Sequence, residues 1–354
     1  MGTFFEKKDA IYMLYALSEA VKGIGKTTPN PLVGAVIVKN GKIISTGYHE
    51  KAGLPHAEAI AIEKAGREAK GSTMYVTLEP CVHHGKTPPC APRIVKAGIK
   101  QVIIGTKDPN PLVNGKGIKF LQEHKVKVKV GILENKVSFL NRGFFKRIKT
   151  GLPWVTLKIA VGSAFDIKTP RGKRYISSKS SLEITHALRA HFDLLALGSK
   201  TALTDNPKLN VRLSSPSVQK LVIDPKVVLF SRKNKANFLK RFLRKYRTSP
   251  VFEKRIEGTV NLRKFRDFLK EQGKRGINYV LVEGGARVAN FLLREEIEKN
   301  EGILDEIYIF YTAAEAKPPK LMRNSLNLKK FPIRITGKSG EDFLLYFSKK
   351  WFPT

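Results

Sequence analysis

Residues 79–90 read EPCVHHGKTPPC and contain both cysteines of the chain, Cys81 and Cys90. Upstream, residues 56–58 read HAE, which places a glutamate two residues after a histidine. One histidine and two cysteines are three ligands of the kind that zinc prefers, and a catalytic zinc keeps its fourth tetrahedral position for water. Glu58 cannot easily bind the same ion as His56, but it can reach that water as a proton carrier. The two stretches therefore predict a catalytic zinc site on His56, Cys81 and Cys90, with Glu58 beside it.

The local sequence indicates how these residues are held. Residues 74–78 (MYVTL) read as a buried strand that ends just before the first cysteine motif. Cys90 is expected to open a helix over 91–97, and His56 a helix over 56–70. The dipole and the free N–H groups of a helix N-terminus favour a thiolate, which is the form of cysteine that binds metal.

Other interpretations of these residues stay open. The two cysteines could be inert thiols in a core, or they could form a disulfide that closes a short loop. His83 and His84 compete with His56 as the nitrogen ligand, although the spacing favours His56. We expect His83 and His84 to contact the loop or a phosphate instead.

Composition limits the class of protein. A chain of 354 residues suits two domains, and 42% hydrophobic residues are enough for sizeable cores. No apolar run approaches the ~20 residues that span a bilayer, and the charged start at residues 6–9 is no secretory signal. We therefore expect a cytoplasmic protein without a membrane partner. The net charge of +35 is distributed over helices and loops, so we expect no nucleic-acid partner, and the basic charge favours an anionic substrate.

The first half resembles a known family. A His-x-Glu followed by Pro-Cys and a second cysteine is the layout of the zinc-dependent base deaminases. Most of these have Cys-x-x-Cys, whereas eight residues separate Cys81 from Cys90 here. This longer spacing occurs with three further motifs, at residues 28–34 (TPNPLVG), 47–49 (GYH) and 108–111 (DPNP). In this combination of motifs the first half of the chain resembles the deaminase half of the bifunctional riboflavin-biosynthesis deaminase/reductases. The resemblance covers residues 8–147 and implies that Asn30 and His49 orient the substrate.

Strands and helices alternate through this half. The pattern predicts a mixed sheet with helices on both faces, hence a three-layer α/β/α, cytidine-deaminase-like domain over residues 1–148. A helix over 135–148 should close it, and residues 149–153 read as a linker.

The second half, residues 154–354, starts again with a strand over 154–160 and continues with a helix over 180–191. Further strands are expected at 194–197, 221–224 and 279–282. Residues 157–160 (LKIA), 188–190 (LRA), 201–207 (TALTDNP), 222–224 (VID) and 282–285 (VEGG) resemble the reductase half of the same family, which implies a dihydrofolate-reductase-like α/β domain that uses NADPH. The positions that match the NADP contacts of the family are Ala160, Thr201, Asp205, Gly284, Gly285, Ala286 and Arg287. The positions that match its substrate contacts are Arg189, Leu209, Arg212 and Glu283, and Lys158 is a further candidate near the reacting sugar.

The resemblance implies two successive steps of flavin synthesis. The first is zinc-dependent hydrolytic deamination of 2,5-diamino-6-ribosylamino-4(3H)-pyrimidinone 5′-phosphate, and the second is NADPH-dependent reduction of its ribosyl chain to ribityl. A homo-oligomer is expected by analogy. Two rivals remain: a tRNA or nucleotide deaminase with a basic RNA-binding domain, and a non-enzymatic protein stabilised by a four-ligand zinc. The basic residues between 231 and 275 are read as solvated helix faces and loops rather than as an RNA site.

Overall fold

The structure is a computed structural model that describes residues 7–85, 87–162, 176–198, 210–211, 226–231, 252–257, 261–283, 288–293, 302–311, 331, 333–340 and 342–349. The chain divides into two compact units. The first unit ends at Thr150 and the second begins at Gly151. Each unit is built around its own sheet.

The first unit alternates strands with helices, as the sequence predicts. In chain order its elements are α1 (Lys7–Val21), β1 (Gly34–Lys39), β2 (Lys42–Tyr48), α2 (Ala57–Ala65), β3 (Thr73–Leu78), α3 (Cys90–Lys96), β4 (Gln101–Thr106), α4 (Lys116–Glu123), β5 (Lys127–Val130), α5 (Glu134–Leu140) and α6 (Arg142–Thr150). The strand order is β2-β1-β3-β4-β5. β1 is antiparallel to β2 and β3, whereas β3, β4 and β5 are parallel.

Alternate side chains of these strands enter two different cores. Ile37, Val76 and Ile104 belong to a core that also contains residues of α2 and α3. Their neighbours Val36 and Tyr75 belong to a second core that contains residues of α1. Because successive residues of a strand face opposite sides of the sheet, the sheet lies between two helical layers. The predicted mixed sheet and three-layer arrangement are thus confirmed.

Two predicted helices have different bounds in the structure. The single helix predicted over 135–148 is wrong, because α5 ends at Leu140 and α6 begins at Arg142. Asn141 between them accepts a hydrogen bond from the Leu32 backbone N–H at 2.8 Å and donates one to the Leu32 carbonyl at 2.9 Å. The helix predicted over 56–70 is shorter, since α2 ends at Ala65 and a 3₁₀ turn follows.

The second unit has a larger sheet. Its elements are β6 (Trp154–Val161), α7 (Lys179–His191), β7 (Leu194–Gly198), β8 (Lys226–Ser231), β9 (Phe252–Glu257), α8 (Leu262–Lys274), β10 (Tyr279–Glu283), β11 (Glu306–Tyr311), β12 (Ile333–Ser339) and β13 (Asp342–Ser348). The strand order is β12-β13-β11-β6-β10-β7-β8-β9. Strands β11, β6, β10, β7, β8 and β9 are parallel to one another. Strand β13 is antiparallel to both of its neighbours, β11 and β12.

The sequence predictions for this unit are only partly confirmed. The strands at 154–160, 194–197 and 279–282 and the helix at 180–191 are present with small shifts of their ends. The strand predicted at 221–224 lies outside the described residues. Strands β8 and β9 were not predicted, and the interpretation of 231–275 as helices and loops is wrong where it covers β9.

One face of β6 faces the main core of the second unit. Val155, Leu157 and Ile159 pack there with aromatic residues of α8. The alternate residues Lys158 and Ala160 therefore face the other side of the sheet. None of the helices in the described ranges combines the length and the hydrophobicity that crossing a lipid bilayer requires.

Candidate active sites

Three elements of the first unit bring the predicted zinc ligands together. His56 is the N-cap residue of α2, Cys81 follows the end of β3, and Cys90 is the first residue of α3. The ligand atoms of the three side chains all lie within 4.8 Å of one another. The Nδ1 atom of His56 is 3.6 Å from the Sγ atom of Cys81 and 3.4 Å from that of Cys90. The sequence prediction for the position of these three side chains agrees with this geometry.

These distances fit a tetrahedral zinc ion. Zinc bonds to sulfur and nitrogen measure about 2.3 and 2.0–2.1 Å, so a nitrogen and a sulfur on one tetrahedral ion are separated by roughly 3.6 Å. The Nδ1 atom of His56 thus faces both sulfur atoms at the separation that zinc requires. Its other ring nitrogen, Nε2, lies 3.3 Å from the hydroxyl of Thr87, which orients the ring from outside the ligand set.

The surroundings of the two thiols shift their pKa values. The pKa of Cys81 is lowered to about 4, first by the hydrogen bond with Cys90 and then by His56. The hydrogen bond with Cys81 and burial raise the pKa of Cys90. The lowered pKa of Cys81 favours its thiolate form, and the Cys90 backbone nitrogen lies 3.4 Å from the Cys81 sulfur. Both cysteines are free in the structure, which excludes the disulfide alternative here.

Glu58 lies in the first turn of α2 and is almost fully buried. Burial raises its pKa to about 7, and the charge of His56 opposes this shift. A carboxyl group with a pKa near neutrality can accept and return a proton with little loss in either direction. Close packing fixes α2 next to β2, because a Cβ atom on Gly47 would lie 2.4 Å from the Ala57 carbonyl oxygen.

A second polar pair lies next to the ligand cluster. The Asn30 amide nitrogen lies 3.0 Å from Nε2 of His49, and the Nδ1 atom of His49 lies 3.2 Å from the Pro55 carbonyl oxygen. A carbonyl only accepts hydrogen bonds, so Nδ1 carries the proton and Nε2 accepts from Asn30. Burial lowers the pKa of His49, which agrees with a neutral ring. The ring centres of His49 and His56 are 5.3 Å apart.

His83 and His84 do not belong to the cluster of His56, Cys81 and Cys90. Among the described residues, the group that could hold a metal ion consists of His56, Cys81 and Cys90, without His83 or His84. The Nδ1 atom of His83 is buried and has no hydrogen-bond partner among the described residues.

Sequence reasoning missed two acidic groups near Cys81. Glu79 is buried, and its carboxylate accepts hydrogen bonds from four backbone N–H groups between residues 108 and 118. Burial raises the pKa of Asp108 to about 7, and the charges of Glu79 and Cys81 contribute. The motif residues 79–81 and 108–111 drew attention in the sequence, but their mutual contact could not be read from it.

In the second unit, three predicted residues meet at the carboxyl end of β10. Glu283 ends β10 and pairs in register with Lys158 of β6. The guanidinium of Arg189, on α7, donates from Nε and Nη2 to the two carboxylate oxygens of Glu283, both at 2.6 Å. Ligands of α/β proteins bind outside the carboxyl ends of parallel strands, and Glu283 with its partner Arg189 lies at such an end.

The charges in this cluster depend on one another. Burial pushes the pKa of Glu283 upward, but the charge and hydrogen bonds of Arg189 outweigh burial, and the pKa lies below its ordinary value. Burial lowers the pKa of Lys158, and the charge of Glu283 opposes this. Arg189, predicted as a substrate contact, thus directs two of its guanidinium N–H groups to the Glu283 carboxylate.

The remaining predicted positions are distributed unevenly. Ala160 lies on β6, two residues beyond Lys158, on the same face of the sheet. Eight of the predicted positions lie outside the described residues: Thr201, Asp205, Leu209, Arg212, Gly284, Gly285, Ala286 and Arg287.

Comparisons with known proteins cover both units. Residues 6–106 match the family model of the cytidine and deoxycytidylate deaminase zinc-binding region, and residues 153–313 match that of the RibD C-terminal domain. The chain is 37% identical over 362 residues to the riboflavin biosynthesis protein RibD of Aquifex aeolicus, covering 96% of this chain and 98% of that protein. It is 34% identical over 328 residues to RibD of Escherichia coli, covering 86% and 87%.

Solved structures give the same result. The structure of Acinetobacter baumannii RibD superposes with a TM-score of 0.81 at 31% identity, covering 98% of this chain and 99% of that one. A diaminohydroxyphosphoribosylaminopyrimidine deaminase/5-amino-6-(5-phosphoribosylamino)uracil reductase from Thermotoga maritima superposes with a TM-score of 0.79 at 31% identity, covering 97% and 99%. The predicted fold classes, a cytidine-deaminase-like domain and a dihydrofolate-reductase-like domain, are confirmed. The rival RNA deaminase is not favoured, because the second half matches a reductase domain.

Proposed function

Because the chain belongs to the RibD family of riboflavin-biosynthesis proteins, bifunctional enzymes with a zinc-dependent deaminase and an NADPH-dependent reductase, we propose which of its residues carry the two reactions. His56, Cys81 and Cys90 hold the zinc of the deaminase, and Glu58 carries the proton. The observation that carries this proposal is the convergence of the three ligand atoms within 4.8 Å next to a buried carboxyl group.

Each residue of the proposed deaminase site has its own chemical role. A zinc ion at this site supplies the Lewis acidity that makes water acidic enough to attack near neutral pH. The carboxylate of Glu58 takes one proton from the attacking water and gives it to a ring nitrogen. It then takes the remaining proton of the added hydroxyl and gives it to the amino group, which leaves as ammonia while the ring carbonyl forms, so one group acts as base and as acid in turn. Asn30 fixes His49 in its neutral form, and the pair orients the pyrimidine substrate. We propose 2,5-diamino-6-ribosylamino-4(3H)-pyrimidinone 5′-phosphate as that substrate.

The second unit reduces the ribosyl chain of the deaminated product to ribityl. NADPH supplies the hydride when bound. Lys158 and Glu283 contact the sugar, and Arg189 holds the carboxylate of Glu283 in place through its two hydrogen bonds. Leu209 and Arg212 complete the substrate contacts. The proposed NADPH contacts are Ala160, Thr201, Asp205, Gly284, Gly285, Ala286 and Arg287.

The two proposed activities lie in successive domains of the chain. We propose a deaminase domain over residues 1–148, a linker over 149–153 and a reductase domain over 154–354. The separate sheets of the two compact units support this division. We also propose a cytoplasmic location, and a homo-oligomeric state that light scattering would test.

A coupled assay tests the proposal. Zinc-loaded protein is mixed with NADPH and the diaminopyrimidine ribotide, and absorbance at 340 nm and free ammonia are followed together. We expect ammonia to appear first and NADPH to be consumed after it. Ammonia without NADPH oxidation would contradict the proposed reductase residues, and absence of ammonia would contradict the zinc site.

A further inference from the structure

A buried carboxylate links the strand that carries Cys81 to a segment far along the chain. Glu79 is the residue after β3 and is only 4% exposed. One of its oxygens accepts from the backbone N–H groups of Asp108 and Gly115 at 3.3 and 3.0 Å. The other oxygen accepts from Gly117 and Ile118 at 3.0 and 3.2 Å. Both oxygens of one side chain are thus used to hold a single segment, residues 108–118.

This contact replaces a missing cap on α4. The N-cap residue of α4 is Gly115, which has no side chain to accept the first N–H groups of the helix. The first N–H groups of a helix have no partner within it and need an acceptor from elsewhere. Glu79 provides this acceptor for Gly117 and Ile118.

The segment is also packed tightly against the same strand end. A Cβ atom on Gly117 would lie 2.0 Å from the Pro80 carbonyl oxygen, so only glycine allows this approach. Pro80 is the residue that connects Glu79 to Cys81. The start of α4 therefore lies against the peptide that leads into the metal ligand.

Cys81 itself is fixed on its other side by α3. The Ala91 backbone N–H donates to the Cys81 carbonyl at 3.0 Å, and the Cys90 backbone N–H lies 3.4 Å from the Cys81 sulfur. Loss of the Glu79 carboxylate would leave these contacts in place. It would release the segment that begins with Asp108. The carboxyl group of Asp108 is buried, and the charge of Cys81 contributes to its raised pKa.

We propose that Glu79 is a positioning residue for deamination, which holds residues 108–118 against the Cys81 strand end and so fixes the Asp108 side of the site. Glu79 acts through this segment and does not bind the metal or the substrate. The inference rests on the zinc site proposed above. A displacement of about 1 Å in a site wall costs about 10²-fold in rate, so the effect on kcat/KM should be large.

Glu79→Gln in the full-length, zinc-loaded protein tests this. The amide NH₂ group would face two backbone N–H donors, so half of the hydrogen bonds are lost at nearly constant side-chain volume. We expect one zinc per chain, an unchanged thiolate-to-cobalt charge-transfer band in the Co²⁺-substituted protein, and a fall of kcat/KM for ammonia release of about 30-fold or more. Reduction of the separately supplied deaminated ribotide should match that of the wild-type protein.

Tyr75→Phe is the matched control. Tyr75 lies on the same strand β3, and its hydroxyl donates to the buried Asp9 at 2.7 Å on the α1 side of the sheet. This variant also loses a buried hydrogen bond to a carboxylate, but at a distance from the ligand cluster. We expect its kcat/KM to stay within about twofold of the wild-type value, since its loss does not touch the site.

Three results would overturn the proposal: an unchanged kcat/KM in Glu79→Gln, a changed cobalt band or lost zinc, or an equal fall in Tyr75→Phe. If Glu79→Gln does not fold, Glu79→Asp keeps the charge with a shorter reach and should show the same pattern with a smaller fall; wild-type kinetics there would equally refute it. A wild-type protein that binds no zinc or releases no ammonia would instead refute the proposed zinc site.

Discussion

Arg189→Ala removes one partner of the buried ion pair between α7 and β10. The side chains of Arg189 and Glu283 are 9% and 14% exposed, and two hydrogen bonds of 2.6 Å join them. The variant leaves the Glu283 carboxylate without its bidentate partner. The pair spans 94 residues of sequence, so its loss should weaken the tertiary structure of the second unit.

The expected magnitude follows from the burial. Removal of one partner from a buried ion pair costs about 3–5 kcal/mol, because the remaining charge stays desolvated. Two charge-assisted hydrogen bonds at about 1.5–3 kcal/mol each give a similar range. We therefore expect the free energy of unfolding of the second unit to fall by about 3–5 kcal/mol at pH 7.

Urea unfolding followed by tryptophan fluorescence measures this change, because Trp154 is fully buried in the second unit. The matched control is Arg275→Ala, which removes a half-exposed pair with Glu271 at 3.5 Å on the surface of α8. Exposed pairs of this kind contribute about 0–1 kcal/mol. Equal destabilisation by the two variants would refute the argument from burial.

The pH dependence provides a second check on the same variant. The folded-state pKa of Glu283 is lowered in the wild-type protein, so its contribution to stability is present above the unfolded pKa. This contribution is lost as the pH falls through the folded pKa. Without Arg189, burial instead favours protonation of Glu283. The variant therefore loses less stability at low pH, where Glu283 is protonated and carries no buried charge. The stability difference between wild type and variant should thus shrink as the pH falls through the raised Glu283 pKa of the variant and then through the lowered Glu283 pKa of the wild type, and a constant difference over this range would contradict the linkage.

Three further variants separate the two reactions. Glu58→Gln should retain zinc in metal analysis but lose ammonia release by about 10²–10⁴-fold, because the amide cannot carry the proton; activity near wild type would remove Glu58 from its role. Cys90→Ser should lose zinc to a chelator faster than wild type, since a serine hydroxyl is a poor zinc ligand; equal retention would mean that Cys90 is not a ligand. Lys158→Met keeps a long apolar side chain but no charge, so NADPH oxidation with the deaminated ribotide should fall while ammonia release is unchanged; a loss of both activities would place Lys158 in a structural role.

The zinc site could be predicted from sequence because its determinants are local. His56 begins α2, Cys90 begins α3, and Cys81 follows β3, so each ligand lies at an element end that hydrophobic pattern and proline mark in the sequence. The spacing of the cysteines, together with the motifs at residues 28–34, 47–49 and 108–111, then pointed to the family. The same holds for the hairpin between β1 and β2, where Asn40 and Gly41 have φ of 50° and 75°, as an Asn-Gly turn requires.

Features that depend on distant residues could not be predicted. The break at Asn141 arises from hydrogen bonds to Leu32, 109 residues away, which override the helical pattern of residues 135–148. The contact of Glu79 with residues 108–118 is equally invisible in a linear sequence. Strand β9, FEKRIE, was missed because its charged residues hid the strand within a basic stretch.

The central claim, that two independent sites catalyse successive reactions, is tested most directly by mixing two inactive variants. Glu58→Gln and Lys158→Met are each assayed alone at 340 nm with zinc, NADPH and the diaminopyrimidine ribotide, and then together. We predict little NADPH oxidation by either variant alone and clear recovery in the mixture, because the deaminated product of one becomes the substrate of the other. NADPH oxidation by Glu58→Gln alone, or no recovery in a mixture that releases ammonia, would contradict the assignment of the two sites.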